Sequence, residues 1–152
     1  FREMNVKLIV AGEYYNNEKQ YIEQINRLKL EDDVILRNDF IPNEEVKNYF
    51  RVADIIAQPY KNATQSGVTQ IGYHFEKPML VTNVGGLAEL IPHNKVGYVV
   101  EPNSKDIADA LVSFFKDNKM KEFEQNVKSE KEKFSWSKMV ETINTLADMI
   151  NK

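Results

Sequence analysis

Short apolar segments alternate with helical patterns along almost the whole chain. Each apolar segment is rich in β-branched or aliphatic residues and ends at a glycine, a proline or a polar residue, as buried strands of a parallel sheet do. The predicted strands are Val6–Ala11, Asp33–Leu36, Asp54–Ala57, Met79–Thr82 and Val96–Val100. Because neighbouring parallel strands are joined by helical crossovers, this alternation predicts an α/β protein with a doubly wound parallel sheet.

Between and after the strands, apolar residues recur at helical spacing. The first such pattern follows a polar turn at Asn16 and Asn17, and we expect Asn43 and Asn103 to cap two of the later helices. The predicted buried stripes are Tyr21, Ile22, Ile25 and Leu28; Val46, Tyr49 and Phe50; Ile107, Leu111, Phe114 and Phe115; Met120, Phe123 and Val127; and Trp136, Val140, Ile143, Leu146 and Ile150. We expect these stripes, Trp136 included, to lie in the core without help from another domain.

Length and charge narrow the class of protein. The 152 residues suit one domain, residues 1–152, and the start at Phe1 suggests a fragment of a longer protein. The 20 basic and 23 acidic residues are mixed along the chain, so no nucleic-acid partner is expected. The chain has no cysteine, which fits a reducing compartment, and no apolar run approaches the ~20 residues that a membrane span needs. We therefore expect a soluble domain.

The segment Ala57–Glu89 carries the strongest functional signal. It places Ala63, Thr64, Gln65, Ser66 and Gly67 between a predicted strand and a helix predicted over Ser66–Phe75. Hydroxyl groups and unpaired amides at a helix start can donate to an anion, and a glycine lets a phosphate approach the backbone. The alternative is that Thr64 or Ser66 only caps the helix, and both interpretations stay open at this point.

Other loops give weaker signals. Gly12 ends the first strand and Gly85-Gly86 follow the fourth, where each can admit a ligand or simply make a turn. His74 and His93 have no second ligand at metal-binding spacing, and we expect no metal site. The chain also lacks the glycine-rich motifs of phosphate-loop enzymes and of typical NAD domains.

The ordered series of motifs resembles a known family. The segments K-L-I-V-A-G, D-F-I-P-N-E-E-V, A-D-I-I-A-Q-P-Y, A-T-Q-S-G-V, K-P-M-L-V-T-N-V-G-G-L-A-E-L-I and V-G-Y-V-V-E-P look like the C-terminal half of family 4 glycosyltransferases with the GT-B architecture. The match runs from about Val6 to Phe134-Ser135-Trp136. The resemblance implies a Rossmann-like domain with a helical C-terminal segment. It also implies metal-independent transfer of a sugar with retention of configuration, and an acceptor site on a preceding N-terminal domain that this chain lacks.

The resemblance also implies roles for single residues. Many members carry two glutamates before a proline that corresponds to Pro78. The two glutamate positions hold Ala63 and Ile71 in this chain. The turn from Ala63 to Gly67, together with Val68, would hold the donor diphosphate and sugar, and Gln70 with Ile71 would mark the ribose site. The loop expected to read the base is Arg37, Asn38, Asp39, Phe40 and Ile41, and Gly12, Gly85 and Gly86 would line the rest of the cleft. No catalytic residue is assigned within this fragment.

The implied function is the donor-binding half of a hexosyltransferase-type enzyme in polysaccharide biosynthesis. Its substrate would be a nucleotide sugar such as a UDP- or GDP-sugar, its acceptor a glycan or a lipid-linked glycan, and no cofactor is expected. The location would be cytoplasmic, at the inner face of the membrane if the full-length protein associates with it peripherally. Two alternatives remain: a non-catalytic nucleotide-sugar-binding partner, which the absence of both glutamates keeps open, and a GT-B-like sugar-nucleotide epimerase, which would need catalytic carboxylates or histidines around the cleft. The isolated fragment is expected to be inactive.

Overall fold

The computed structural model describes residues 4–13 and 17–150, and it divides the chain into two compact units that meet in sequence between Arg51 and Val52. The expected turn at Asn16 lies outside the described residues. The expectation of one domain over residues 1–152 stays a prediction, and each unit is described here by itself.

The first unit is a β-α-β-α segment. Strand β1 (Leu8–Ala11) pairs in parallel with β2 (Val34–Arg37), and helices α1 (Lys19–Leu28) and α2 (Asn43–Val52) follow the two strands. Asn43 is the first residue of α2, and not the cap that its position predicted, since the Pro42 carbonyl accepts from the amides of Glu45 and Val46.

The expectation that β1 is buried on both faces is wrong. All four of its residues are exposed, and no residue of α1 is fully buried. Within the described part of this unit the sheet has two strands, so β1 has a hydrogen-bonded neighbour on one edge alone. A continuous apolar run thus predicted the strand correctly but said nothing of what covers it.

The second unit holds a three-stranded parallel sheet in the order β3-β4-β5. Its strands are β3 (Ile56–Gln58), β4 (Met79–Thr82) and β5 (Gly97–Val100). The helices are α3 (Gly67–His74), α4 (Leu87–Leu90), α5 (Ser104–Lys116), α6 (Met120–Glu130) and α7 (Trp136–Ile150), with a 3-10 turn at Lys131–Phe134 before α7. The α/β class, the parallel pairing and the helical C-terminal segment are confirmed, whereas the sequence did not predict α4 or the 3-10 turn.

Strand β4 is the centre of this unit, with all four residues buried. Met79 and Val81 pack on one face with Tyr73 of α3 and Leu87 of α4, whereas Leu80 packs on the other face. That second face holds Tyr98 of β5, Phe114 of α5 and Phe123 of α6. Helices therefore cover both faces of this sheet, which is the doubly wound arrangement.

One buried carboxylate ties α6 to the rest of this unit. The Glu130 side chain is 4% exposed and accepts hydrogen bonds from the Nζ atoms of Lys133 and Lys95, the second at 2.6 Å. These hydrogen bonds hold the pKa of Glu130 below its ordinary value. Burial raises the pKa of the nearby Tyr73 phenol, with the Glu130 charge as a second cause, and the Tyr73 hydroxyl donates to the Leu90 carbonyl at 2.6 Å.

Helix α7 corrects the expectation about the last apolar stripe. Trp136 is 78% exposed, and the other large apolar residues of this helix are all exposed. The helix forms as its apolar spacing predicts, but neither buried cluster of the second unit contains any of its residues. The exposed stripe consists of Trp136, Met139, Val140, Ile143, Leu146, Met149 and Ile150.

Candidate functional site

The residues from Ala63 to Gly67, here called the α3 turn, lead from the carboxyl end of β3 into α3. Ser66 has extended backbone angles (φ −138°, ψ 124°), and its hydroxyl oxygen accepts a hydrogen bond from the Val68 amide at 3.2 Å. Ser66 is therefore the N-cap, and α3 begins at Gly67. Since the same hydroxyl still carries a proton to donate, capping and ligand binding are compatible at this residue.

Three backbone amides of the α3 turn are unsatisfied. Within the described ranges, the amides of Gln65, Ser66 and Gly67 have no hydrogen-bond acceptor. A Cβ atom on Gly67 would meet nothing within 4 Å, so the turn faces open space. The first turn of α3 also carries no acidic residue. The positive end of the helix dipole is thus uncompensated, which is the electrostatic requirement of an anion site.

Residues at the end of β4 fix the position of the α3 turn. The fully buried Thr82 hydroxyl donates to the Tyr60 carbonyl at 2.6 Å, and the Gly86 amide donates to the Thr64 carbonyl at 2.9 Å. Gly85 has a positive φ of 51°, and a Cβ there would lie 1.8 Å from the Ala63 carbonyl oxygen. The two glycines therefore let the loops after β3 and β4 touch each other, a use that neither sequence interpretation contained.

The expected ribose residues lie one turn further along α3. Gln70 is exposed and Ile71 is half-buried. Gln70 lines a groove of about 410 Å³, together with residues from the 3-10 turn and the start of α7. These residues are Lys133, Phe134, Ser135, Lys138, Met139, Thr142 and Ile143.

The remaining predicted site residues lie in the first unit. Gly12, with φ 127°, donates its amide to the Arg37 carbonyl at 2.9 Å, so the first unit brings Gly12 next to the loop of residues 37–41. In that loop the Asn38 side-chain amide donates to the Glu18 carboxylate, and Phe40 is 70% exposed. Both the loop and Gly12 follow the carboxyl ends of parallel strands, where open α/β sheets bind ligands.

Sequence reasoning missed three buried polar residues around the α3 turn. They are Gln58 at the end of β3, Thr69 in the first turn of α3, and Thr82 at the end of β4. The Thr69 hydroxyl donates to the Gln58 Oε1 atom at 3.2 Å. The available signal was a polar residue at the end of an apolar strand, where a buried polar group needs a partner.

Two features are absent from the described residues, 4–13 and 17–150. No cluster of three or more histidine, cysteine, aspartate or glutamate side chains is arranged to hold a metal ion. No helix in these ranges has the length and apolar character to span a bilayer.

The fold is shared with glycosyltransferases of known structure. The Anabaena protein HepE, solved in complex with UDP, matches with a TM-score of 0.77 and 20% identity over 94% of this chain and 41% of its own. Sucrose-phosphate synthase from Thermosynechococcus elongatus matches with a TM-score of 0.73 and 19% identity over 94% of this chain and 37% of its own. These likenesses confirm the expected fold of a GT-B C-terminal domain.

Sequence relatives agree with the fold. An uncharacterized glycosyltransferase of Methanocaldococcus jannaschii is 26% identical over 91% of this chain and 38% of its own length. An alpha-1,3/1,6-mannosyltransferase of Dictyostelium discoideum is 27% identical over 93% of this chain and 36% of its own length. The chain thus spans less than two fifths of either relative. The model of the family "Glycosyl transferases group 1" matches residues 2–133, and this chain belongs to that family.

Proposed function

We propose that this chain is the donor-binding half of a glycosyltransferase, in which the α3 turn holds the diphosphate of a nucleotide sugar. The observation that carries this proposal is the set of three unsatisfied amides at Gln65, Ser66 and Gly67, at a helix start without an acidic residue. Free backbone amides at a helix N-terminus bind phosphate oxygens. The solved HepE complex contains UDP, which has the same diphosphate chemistry.

The chemistry that these groups support is stabilisation of the leaving group. When the bond between the sugar and the nucleoside diphosphate breaks, negative charge builds on the leaving phosphate. Fixed amide dipoles stabilise such a charge without reorganising, and loss of one donor typically costs about 3 kcal/mol of transition-state stabilisation. We assign this stabilisation of the leaving phosphate to the α3 turn, which includes Thr64, and to Val68, and it needs no metal ion. Retention of configuration is carried over from the family resemblance.

The other assignments are carried over from the family resemblance. Gln70 and Ile71 lie one turn along α3 and would contact the ribose. The loop 37–41 with Gly12 would read the base, and Gly85-Gly86 hold the α3 turn in place. A UDP- or GDP-sugar is the expected donor.

The acceptor side is assigned to a preceding domain. Both curated relatives described above are more than twice as long as the segment that this chain matches. A glycan or lipid-linked glycan as acceptor, a place in polysaccharide biosynthesis and a cytoplasmic location, with the membrane face as a docking site, all depend on that larger protein. We therefore expect this chain alone to bind a donor but to transfer no sugar.

A second function rests on a specific departure from the family. Ala63 and Ile71 occupy the positions where many members carry glutamates that contact the donor sugar and the ribose. A non-catalytic partner that binds a nucleotide sugar would tolerate both replacements. Transfer by the full-length protein would decide between an enzyme and a binding partner, since both would bind the donor.

Isothermal titration calorimetry with this chain tests the shared part of both functions. UDP, GDP and ADP, and the corresponding glucose or mannose conjugates, are titrated with and without EDTA. We expect one nucleoside diphosphate to bind with unchanged affinity in EDTA. Absence of binding by all of them, or binding that EDTA abolishes, would contradict the proposal.

A further inference from the structure

A buried side-chain amide, that of Gln58, links β3 to the first turn of α3. The Gln58 side chain is 2% exposed, at the last position of β3. Its Oε1 atom accepts the hydrogen bond from the Thr69 hydroxyl at 3.2 Å, and Thr69 is itself fully buried. This is a direct side-chain link between the end of β3 and the first turn of α3.

The other end of the same amide has no partner. Among the residues that the structure describes, nothing accepts a hydrogen bond from Gln58 Nε2. Rotating the amide by half a turn would exchange Oε1 and Nε2. One of the two atoms would still have no partner, because the Thr69 hydroxyl would then accept from Nε2. Leaving a buried donor unpaired is unfavourable, so an apolar residue of similar length would suit the core at this position better.

We propose that Gln58 is a positioning residue for the α3 turn, acting through Thr69 to hold the first turn of α3 where its free amides converge on a diphosphate. The inference rests on the proposed function and adds a residue to it. Three ties then surround the turn: Gln58 to Thr69 from β3, Thr82 to Tyr60 from β4, and Gly86 to Thr64 from the following loop. The last two fix the backbone before the helix, whereas the first fixes the helix itself.

A positioning role and a purely structural role predict opposite results for Gln58→Met. Methionine has a similar length and no unpaired donor, so thermal stability should be equal to or above that of the original chain. Affinity for the nucleoside diphosphate should nevertheless fall about three- to tenfold, the equivalent of one neutral hydrogen bond. A structural role would make affinity follow stability.

Thr69→Val completes a double-mutant cycle. This variant leaves both ends of the Gln58 amide unpaired, so it should lower the melting temperature, and the double variant should recover it. Affinity should fall by the same factor in both single variants and in the double variant, because all three remove the same hydrogen bond between Thr69 and Gln58. Gln125→Met, on the exposed face of α6, is the matched control and should change neither quantity.

The measurements are calorimetric titration with the tightest-binding nucleoside diphosphate and thermal unfolding by circular dichroism. Equal affinity of Gln58→Met and the original chain would overturn the inference, as would independent, additive losses in the double variant. If Gln58→Met does not fold, Gln58→Leu, which also removes the unpaired donor, is measured in its place and judged by the same criterion. If the original chain binds no nucleoside diphosphate, the proposed function itself fails, which is a different result.

Discussion

Helices α3 and α5 begin in similar ways but differ in charge. Each follows the carboxyl end of a parallel strand in the second unit, and each has a polar N-cap, Ser66 or Asn103, that accepts from a backbone amide of its helix. However, α5 carries Asp106 in its first turn, whereas α3 carries no acidic residue there. The helix dipole of α5 is compensated by its own chain, and that of α3 is not.

The difference separates a helix start that serves folding from one available for a ligand. The α5 loop is short, and the Asn103 amide is satisfied by the Glu101 carbonyl at 2.7 Å. The amides of Ser104 and Lys105 at the start of α5 have no acceptor among the described residues, whereas the longer α3 loop leaves three such amides and is held in place by Thr82 and Gly86. Exposed amides at a helix start are otherwise solvated by water, so the uncompensated dipole beside the free amides of the α3 turn is what favours an anionic acceptor there.

Gly67→Val should give the largest difference between the two helices. The branched side chain would enter the open space beside the free amides. We expect the core to be unaffected because a Cβ atom on residue 67 would meet no atom within 4 Å. Losing one charge-assisted contact of this kind, about 1.5–3 kcal/mol, should weaken diphosphate binding by roughly 10- to 150-fold in calorimetry. Ser104→Val places the same side chain at the first position of α5 and should leave affinity unchanged. Equal affinities would mean that the diphosphate binds elsewhere.

Gln65→Glu should make α3 resemble α5. The carboxylate would compensate the helix dipole and stabilise the helix by about 0.3–1 kcal/mol, but it would repel a diphosphate. We expect affinity to fall several-fold, and to fall less at high salt because the charge is exposed. Titrations at two ionic strengths measure both effects. The reverse change, Asp106→Asn, should not create binding at α5, and a new site there would show that dipole charge alone is sufficient.

Ser66→Ala should have a smaller effect on binding. Both this variant and Asn103→Ala lose an N-cap, at a cost of about 1 kcal/mol of stability each. Only Ser66→Ala should also weaken diphosphate binding, by a few-fold, since one neutral hydrogen bond is lost with it. Chemical denaturation and calorimetry on the pair separate the two contributions. A binding loss in Asn103→Ala would indicate that affinity merely follows stability.

Glu130→Gln should leave binding unchanged. The folded pKa of Glu130 is lowered, so its stabilising effect is complete above the ordinary carboxylate pKa and is lost as the pH falls through the lower folded value. The original chain should therefore lose stability on acidification below about pH 4.3, and the variant should lose less over the same range. Denaturant midpoints between pH 3 and pH 7 measure this. Parallel curves would contradict the assigned role of Glu130.

The sequence predicted the elements of this fold better than their surroundings. Strand β4 was predicted with its observed bounds because Pro78 and the polar Asn83 flank a continuous apolar run. The exposure of β1 and α7 was not predictable, because periodicity identifies an apolar face but not the element that covers it. Helix α4 was missed because Gly85-Gly86 indicates a turn, which hides the four-residue helix after it.

The candidate site was predictable in part. The α3 turn follows from a strand, a hydroxyl-rich turn and a glycine at a helix start, and the structure supplies the unsatisfied amides there. Gln58 and Thr69 could not be paired from sequence, because they lie eleven residues apart on different elements. The contact of Gly85 with Ala63 is likewise a property of packing between two loops.

The position of Trp136 determines what fluorescence can report. It is the single tryptophan of the chain, and it is exposed on α7 and belongs to neither of the buried clusters around β4. Its emission will already be that of a hydrated indole in the folded chain, so unfolding of the core will change it little. A blue shift would instead report that a partner has covered α7, which makes this residue a built-in probe for binding at that helix.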